Sequence, residues 1–336
     1  MLRNADGTVV HGRTGEFGYF FDTDVVVIPR QYEFTGETPD GDGLKFKTKY
    51  ASVGIIAFDV LGYLDGVNER GLGMGTFYFP SYAGYAKVTA ENQSKALSPS
   101  QFGNWILGQF SNVAEVKAAV ERGDVAIAPT PAKGFGPEPP PFKYVVYERS
   151  GASIVIEPLN GNLVIYNNPL GSMANSPTHD WHLTNLRNFI ALDPRNVPPI
   201  TVAGEALSQL GQGSGMLGLP GDFTPPSRFV RASVFSATAV PSKNASDGIE
   251  QVFHILNNFD IPIGVAREEH EGVLHTDYTI ITAARDPQGL RYYWKTYEDQ
   301  TLRMVDLNKF DLDAADIKKF KTNTDQPIVD MSSQFK

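Results

Sequence analysis

Cysteine is absent from the 336 residues of this sequence. The absence excludes disulfide bonds, thiolate metal sites and a cysteine nucleophile among these residues. Long apolar runs are also missing: no stretch reaches the ~18 residues of a membrane-spanning helix, and residues 1–12 lack the apolar core of a signal peptide. We therefore expect no membrane partner, and the compartment stays open between cytoplasm and periplasm.

An excess of basic residues is lacking too. The chain carries 29 Lys and Arg against 38 Asp and Glu, and both signs are mixed along the sequence. Nothing resembles the basic face that nucleic acid requires, so nucleic acid is not an expected partner. Linkers rich in Ser and Gly are absent as well, and 41% of the residues are hydrophobic. These features predict one globular domain over residues 1–336.

What the sequence does contain is an alternation of β-rich and helix-rich segments. Residues 45–60 and 71–79 are predicted to be strands, and residues 98–123 to hold two helices with apolar residues at helical spacing. Residues 125–141 are so rich in Pro that we expect a surface loop.

Residues 142–166 give the clearest β signal. Three apolar runs are separated by Ser150-Gly151 and Asn160-Gly161, which suit hairpin turns. Further helices are predicted around Trp181, around Phe229 and over residues 246–258, followed by a second meander over residues 277–307. This order predicts an α+β fold in which two antiparallel sheets pack together with helices outside.

Several short segments match motifs of other functions but lack the structural context that those motifs require. GSGMLG (213–218) fits the dinucleotide-binding pattern but follows no strand and runs into Pro220. His179, Asp180 and His182 suggest a metal site or a Ser-His-Asp relay with a neighbouring serine, yet the first turn of a helix explains them more simply. A solvated helix start is also predicted near the C-terminus at three acidic residues, Asp311, Asp313 and Asp316.

The segment 6–30 holds two charged residues, Arg13 and Glu16, between apolar neighbours and between two β-rich runs. Such side chains need a partner if they are buried. For an isolated pair, a solvated surface connection is the simpler interpretation, and only a wider pattern favours a site.

Four longer segments supply that pattern: GRTGEF followed by VVVIPR (12–30), DGVNERGLGMGTFYFP (65–80), ANSPTHDWHLTNL (174–186) and GLPGDFTPPSRFVRA (218–232). In them the chain resembles the choloylglycine hydrolase family, which contains penicillin V acylases and bile salt hydrolases. The resemblance implies the four-layer αββα sandwich of the N-terminal nucleophile hydrolases. It also implies a small-molecule acyl amide as substrate, no cofactor or metal, and a homotetramer with residues 193–226 as a contact arm.

In that family an N-terminal cysteine attacks the carbonyl of a linear amide, and its own α-amino group, with a pKa of ~7.7–8.0, serves as the base. The resemblance implies that Arg13 lies beside the sulfur and favours the thiolate. Glu16 takes the place of an acid, more often Asp, that holds the terminal amine. Asn175 and the residue at Tyr78 would form the oxyanion hole. Arg228 would organise the electrostatics from behind them.

The sequence departs from the family pattern at two points. No residue corresponds to the N-terminal cysteine, and Gly15 stands where the family usually has Met. As written, the chain is expected to be inactive. A start assigned too far downstream, a deliberate shortening, and a non-catalytic relative that binds a small molecule all fit. The presence of Arg13, Glu16, Asn175 and Arg228 together weighs against a long-standing loss of function.

The substrate expectation rests on Tyr78. Tyr at this position resembles penicillin V acylases and favours aryl-acyl or alkyl-acyl amides, including acyl-homoserine lactones, whereas bile salt hydrolases, the alternative, more often have Asn. Four aromatic residues either line an acyl pocket or belong to the core: Phe58, Tyr63, Phe77 and Phe79.

Overall fold

A computed structural model describes residues 1–270 and 272–334. Its strands are β1 (Leu2–Arg3), β2 (Val9–Phe17), β3 (Thr23–Ile28), β4 (Glu33–Thr38), β5 (Gly41–Lys47), β6 (Ser52–Ala57), β7 (Asp65–Asn68), β8 (Leu72–Tyr78), β9 (Ala96–Leu97), β10 (Ala126–Ile127), β11 (Phe142–Glu148), β12 (Ser153–Leu159), β13 (Asn162–Asn167), β14 (Ile200–Val202), β15 (Glu205–Leu207), β16 (Ala266–His270), β17 (Val273–Asp286), β18 (Arg291–Thr296), β19 (Arg303–Asp306) and β20 (Lys318–Lys321). Its α-helices are α1 (Phe102–Gln109), α2 (Val113–Glu121), α3 (His179–Leu186), α4 (Pro225–Thr238) and α5 (Ala245–Leu256).

Two large antiparallel sheets form the centre of the molecule. The first has eight strands in the order β13-β12-β11-β8-β7-β6-β3-β20. The second follows the path β1-β2-β17-β18-β19, with β16 paired to β17. The hairpins predicted over residues 142–166 are confirmed as β11, β12 and β13, and the second meander is confirmed as β17, β18 and β19.

Strand β3 shows how the layers stack. Val25 and Val27 pack toward the second sheet, while Val26 and Ile28 pack toward α1 and α2 on the other face. Successive side chains of a strand point to opposite faces, so a strand with both faces covered is apolar throughout its centre. Every residue of β3 is accordingly buried.

The outer face of the second sheet is covered by α5. Its residues Ile249, Val252, Phe253 and Leu256 recur at helical spacing and are buried with strand residues such as Val10. The order of layers is therefore helix, sheet, sheet, helix, and the predicted α+β fold with an αββα sandwich is confirmed. Among the described residues, no helix has both the length and the apolar character to cross a membrane.

Two local predictions were wrong. Residues 45–60 include the end of β5 and the whole of β6, which belong to different sheets. The chain leaves β5 at Thr48, whose hydroxyl donates to the Pro29 carbonyl, and bends at residues 49–50 before β6 begins. Residues 311–316 form turns rather than a helix start, and strand β20 follows them. The carboxylate of Asp311 accepts from the main-chain N–H of Asp313, the local bond by which Asp favours turns over helices.

A buried ion pair joins the two sheets. Asp65 begins β7 in the first sheet, and its Oδ1 accepts from Nη1 of Arg285 on β17 of the second sheet at 2.5 Å. Both side chains are almost completely buried. The same nitrogen of Arg285 donates to the carbonyl of Met74 on β8 at 2.6 Å. Burial raises the pKa of Asp65, and the charge of Arg285 opposes that rise.

Removing the Asp65 charge is expected to destabilise the fold strongly. Asp65→Asn keeps the shape of the side chain but leaves the buried Arg285 cation without its counter-ion, which costs about 3–5 kcal/mol. Urea denaturation measures the change in the free energy of unfolding. Asp42→Asn, which breaks an exposed pair with Lys45, is the matched control and should not shift the transition. Equal stability of the two variants would contradict the importance of the pair between the sheets.

Candidate active site

Arg13 and Glu16 lie on the strand β2 itself, not on a surface connection. Nη1 of Arg13 reaches the first sheet and donates to the carbonyls of Leu64 (3.0 Å) and Thr76 (2.6 Å). Its guanidinium carbon lies 4.4 Å above the ring of Phe77, and its Nε lies 4.0 Å from the Asp65 carboxylate. Arg13 is thus a largely buried cation, held by fixed dipoles and one carboxylate.

Glu16 lies beside a bulge in the pairing of β2 with β17. Gly15 pairs with Ile281 and Glu16 with Thr279, which leaves Ile280 as an extra residue. The Thr279 hydroxyl is 3.5 Å from Oε1 of Glu16, and Nη1 of Arg228 is 3.8 Å from Oε2. The carboxylate therefore has one neutral and one charged partner.

The side chain of Asn175 bridges two elements. Its Nδ2 donates to the main-chain carbonyl of Tyr78 at 2.7 Å, and its Oδ1 accepts from Nη2 of Arg228 at 2.8 Å. A guanidinium can only donate and a carbonyl can only accept, so these partners fix which end of the amide faces each of them. Among the described residues, the second N–H of the Asn175 amide has no hydrogen-bond partner.

Arg228 lies in the first turn of α4. Pro225 begins that helix, a position where the missing N–H of proline costs nothing. Nε of Arg228 donates back to the carbonyl of Phe223 at 2.9 Å, which orients the guanidinium toward Asn175 and Glu16. The guanidinium of Arg228 thereby lies beside Glu16 on the second sheet.

Contacts link four of the five predicted residues directly: Glu16 to Arg228, Arg228 to Asn175, and Asn175 to Tyr78. Arg13 is on the same strand as Glu16 and touches Phe77, the neighbour of Tyr78. Tyr78 takes part in this set of hydrogen bonds through its main-chain carbonyl, and the residue is 41% exposed.

A cluster of aromatic rings borders these residues. Phe17 contacts the rings of Tyr78, Tyr19, Phe21, Phe58 and Phe135 edge to face. Phe58 and Phe135 also line a small cavity. Leu64 and Thr76, whose carbonyls hold Arg13, line the same cavity. An apolar space therefore opens directly beside the Arg13 guanidinium.

The four aromatic residues of the predicted acyl pocket divide into two groups. Phe58 and Tyr63 line the cavity. Phe77 packs under Arg13, and Phe79 is buried in the core against Lys143 and Tyr82.

A buried polar layer lies below Asn175, and the sequence alone did not predict it. Lys143 and Glu157 form an ion pair of 3.0 Å with no solvent exposure. Burial lowers the pKa of Lys143 to about 8 and raises that of Glu157, and each charge opposes the shift of the other. Oε1 of Glu157 also accepts from the main-chain N–H of His179.

The two histidines of this layer begin α3, as the helix-turn interpretation predicted. Burial is the main cause that lowers the pKa of His179 and of His182 to about 4. Within the described residues, no group of three or more His, Asp or Glu side chains could hold a metal ion. The metal interpretation of this motif therefore gains no support from the geometry.

Other partners were also missed. Asp65 and Thr279 face Arg13 and Glu16 from other strands, and nothing in the spacing of the sequence identified them. A buried Asp opening an apolar strand, as in DGV (65–67), was the one available signal.

Acid should destabilise the protein partly through His179. The pKa of His179 is lowered to about 4 in the folded protein. As the pH falls below ~6.5, the imidazole is therefore protonated in the unfolded state before it is protonated in the folded state, and the free energy of unfolding decreases until the pH reaches ~4. His179→Phe removes this proton-linked term. Between pH 7 and pH 4.5 the free energy of unfolding should decrease in both proteins, and the decrease should be about 2 kcal/mol smaller in His179→Phe than in the parent. Parallel losses in both proteins, measured by denaturation at each pH, would contradict this assignment.

Known proteins share this architecture over nearly the whole chain. The sequence model of the linear amide C-N hydrolases, choloylglycine hydrolase family, matches residues 1–320. A bile salt hydrolase/transferase of Clostridium perfringens is 33% identical over 96% of this chain and 95% of its own length. One from Lactiplantibacillus plantarum is 32% identical over 91% of each chain.

Solved structures agree. A crystal structure of a variant of the conjugated bile acid hydrolase from Clostridium perfringens covers 98% of both chains with a TM-score of 0.86 and 33% identity. A penicillin V acylase from Agrobacterium tumefaciens shares the fold with a TM-score of 0.75 over 95% of this chain and 89% of its own, at 23% identity. This chain belongs to the choloylglycine hydrolase family of linear amide C-N hydrolases.

Proposed function

We propose that this cleft hydrolyses linear acyl amides with aryl or alkyl acyl groups, as penicillin V acylases do, and that acyl-homoserine lactones are among its substrates. The observation that carries the proposal is the continuous set of contacts from Thr279 through Glu16, Arg228 and Asn175 to Tyr78. Residues 1–336 contain no cysteine, so the reaction requires an N-terminal cysteine preceding them.

Each side chain then has a definite task. The cysteine thiolate adds to the amide carbonyl carbon, and the α-amine carries the proton to the leaving nitrogen as the C–N bond breaks. Water then hydrolyses the resulting thioester. Arg13 favours the thiolate as a fixed cation, with Nε and Nη1 already bonded to carbonyls. Glu16 holds the α-amine.

The oxyanion is stabilised by neutral donors. The second N–H of the Asn175 amide donates to the carbonyl oxygen as negative charge develops on it, together with the residue at Tyr78. Arg228 acts through Asn175, because its bond to Oδ1 keeps the amide nitrogen turned toward the substrate. Arg228 also contacts Glu16, so the same guanidinium touches both the Asn175 amide and the carboxylate proposed to hold the α-amine.

The lining of the cavity supports an apolar acyl group. It includes the rings of Phe58 and Phe135, and hydrophobic and aromatic side chains predominate in small-molecule pockets. Bile salt hydrolysis is the second candidate, because relatives bearing that name are 33% and 32% identical to this chain. A non-catalytic binding protein is the third.

Supplying the nucleophile should create activity. The chain as written should cleave neither penicillin V nor glycodeoxycholate above background. A version with a short N-terminal extension that begins with Cys after removal of the initiator Met should cleave an acyl amide. The matched Cys→Ser version should fold equally well, and its rate should be lower by a factor of about 10³ or more. Asn175→Ala in the Cys version should lower kcat by about 10²-fold or more.

The substrate panel separates the candidates. Faster cleavage of penicillin V or an acyl-homoserine lactone than of glycodeoxycholate is expected, whereas the reverse order would favour the bile salt alternative. If the Cys version is folded yet cleaves none of the three, the hydrolase proposal is replaced by the binding protein.

The homotetramer belongs to the same proposal. Residues 193–226 carry β14 and β15, a hairpin with exposed apolar side chains that include Ile200, Val202 and Leu207. Exposed apolar groups in a projecting hairpin suit burial against another subunit. Light scattering at micromolar concentration should give a tetramer mass, and a monomer would refute the assembly without affecting the proposed chemistry.

A further inference from the structure

The loop of residues 175–177 is held at three consecutive positions. The carbonyl of Asn175 accepts from Nε2 of His182 at 3.0 Å. The hydroxyl of Ser176 donates to the carbonyl of Pro80 at 2.8 Å. The carbonyl of Pro177 accepts from Nζ of Lys143 at 3.0 Å. The main chain that carries the Asn175 amide is therefore bonded to separate elements of the fold.

His182 is the anchor closest to the proposed chemistry. Its ring is buried. Because a carbonyl only accepts, the proton of the neutral ring is on Nε2. The burial that lowers the pKa of His182 to about 4 keeps this tautomer uncharged at neutral pH.

The same ring packs on the helix that carries Arg228. It stacks on Phe229 with a centroid distance of 4.7 Å and an interplanar angle of 15°. Phe229 follows Arg228 on α4, and Arg228 holds Oδ1 of Asn175. One imidazole thus fixes the Asn175 main chain and contacts the helix whose cation orients the Asn175 side chain.

We propose that His182 is a positioning residue that sets where the Asn175 amide donates to the oxyanion. The inference rests on the proposed function of Asn175. His182 acts only through Asn175. Displacing a transition-state donor by a fraction of its hydrogen-bond length slows the reaction and leaves ground-state binding nearly unchanged.

His179 offers a matched control within the same helix turn. It is also a buried histidine, and its ring contacts Phe229 edge to face at 5.9 Å. In the part of the chain that is described, neither of its ring nitrogens has a hydrogen-bond partner. His179→Phe therefore removes an equivalent ring beside the same Phe229 and takes no hydrogen bond away from Asn175.

The kinetic test uses the Cys-extended chain. His182→Phe keeps an aromatic ring for stacking but cannot donate to the Asn175 carbonyl, so kcat should fall about 10- to 100-fold while KM stays within about twofold. His182→Gln, whose amide N–H donates, should recover at least part of the loss. His179→Phe should leave both constants unchanged. Equal effects of the two phenylalanine variants, or a rise in KM alone, would overturn the proposal.

A second measurement needs no catalysis and uses the chain as written. The side-chain NH₂ of Asn175 is identified in a ¹⁵N–¹H spectrum by the signal lost in Asn175→Asp. His182→Phe should shift this signal and increase its hydrogen exchange, whereas His179→Phe should do neither. If His182→Phe does not fold, His182→Met replaces it in both tests. An unchanged Asn175 signal in a folded His182 variant refutes the positioning role, while absent hydrolysis by the extended parent refutes only the proposed function.

Discussion

The carboxylate of Asp65, buried between two guanidiniums, is the constraint on which the rest of the structure depends. Apolar side chains from both sheets, such as Val25 and Ile281, pack between them. Arg285 and Arg13 both extend from the second sheet to Asp65 and to main-chain carbonyls of the first. Since buried charges tolerate few arrangements, this cluster fixes how β2 and β17 lie over β7 and β8.

The candidate site uses that alignment. Arg13 and Glu16 both lie on β2, so the ion-pair cluster that holds Arg13 also positions the strand that carries Glu16. Asn175 and Arg228 approach from the loop 175–177 and from α4, which are outside the two sheets. A polar layer of Lys143, Glu157 and the α3 histidines supports them from below. The part of the site on β2 and the part from the loop and α4 are in contact where Glu16 meets Arg228.

The sequence predicted well wherever a local rule decides the outcome. The hairpins near Ser150-Gly151 and Asn160-Gly161, the paired helices α1 and α2, and the layered architecture followed from turn chemistry and periodicity. The resemblance supplied the five site residues, and their roles stay predictions. Spacing did not reveal the partners, Asp65, Thr279 and His182, because contacts between distant elements leave no local periodicity. The supposed helix start at Asp311 was wrong because Asp side chains stabilise turns as readily as helix starts.

The bulge at Ile280 divides β17 into two portions, and the alternation of inward and outward side chains is shifted by one residue between them. From Ile281 to Asp286, every second side chain points into the core between the two sheets, and this portion carries Arg285. Before the bulge, Thr279 faces Glu16, and the strand continues toward its hairpin with β16. An extra residue shifts the alternation by one, so the two portions obey separate patterns of inward and outward side chains. Substitutions in the β16–β17 hairpin therefore leave the alternation of the portion that carries Arg285, and with it the inter-sheet ion pair, unchanged.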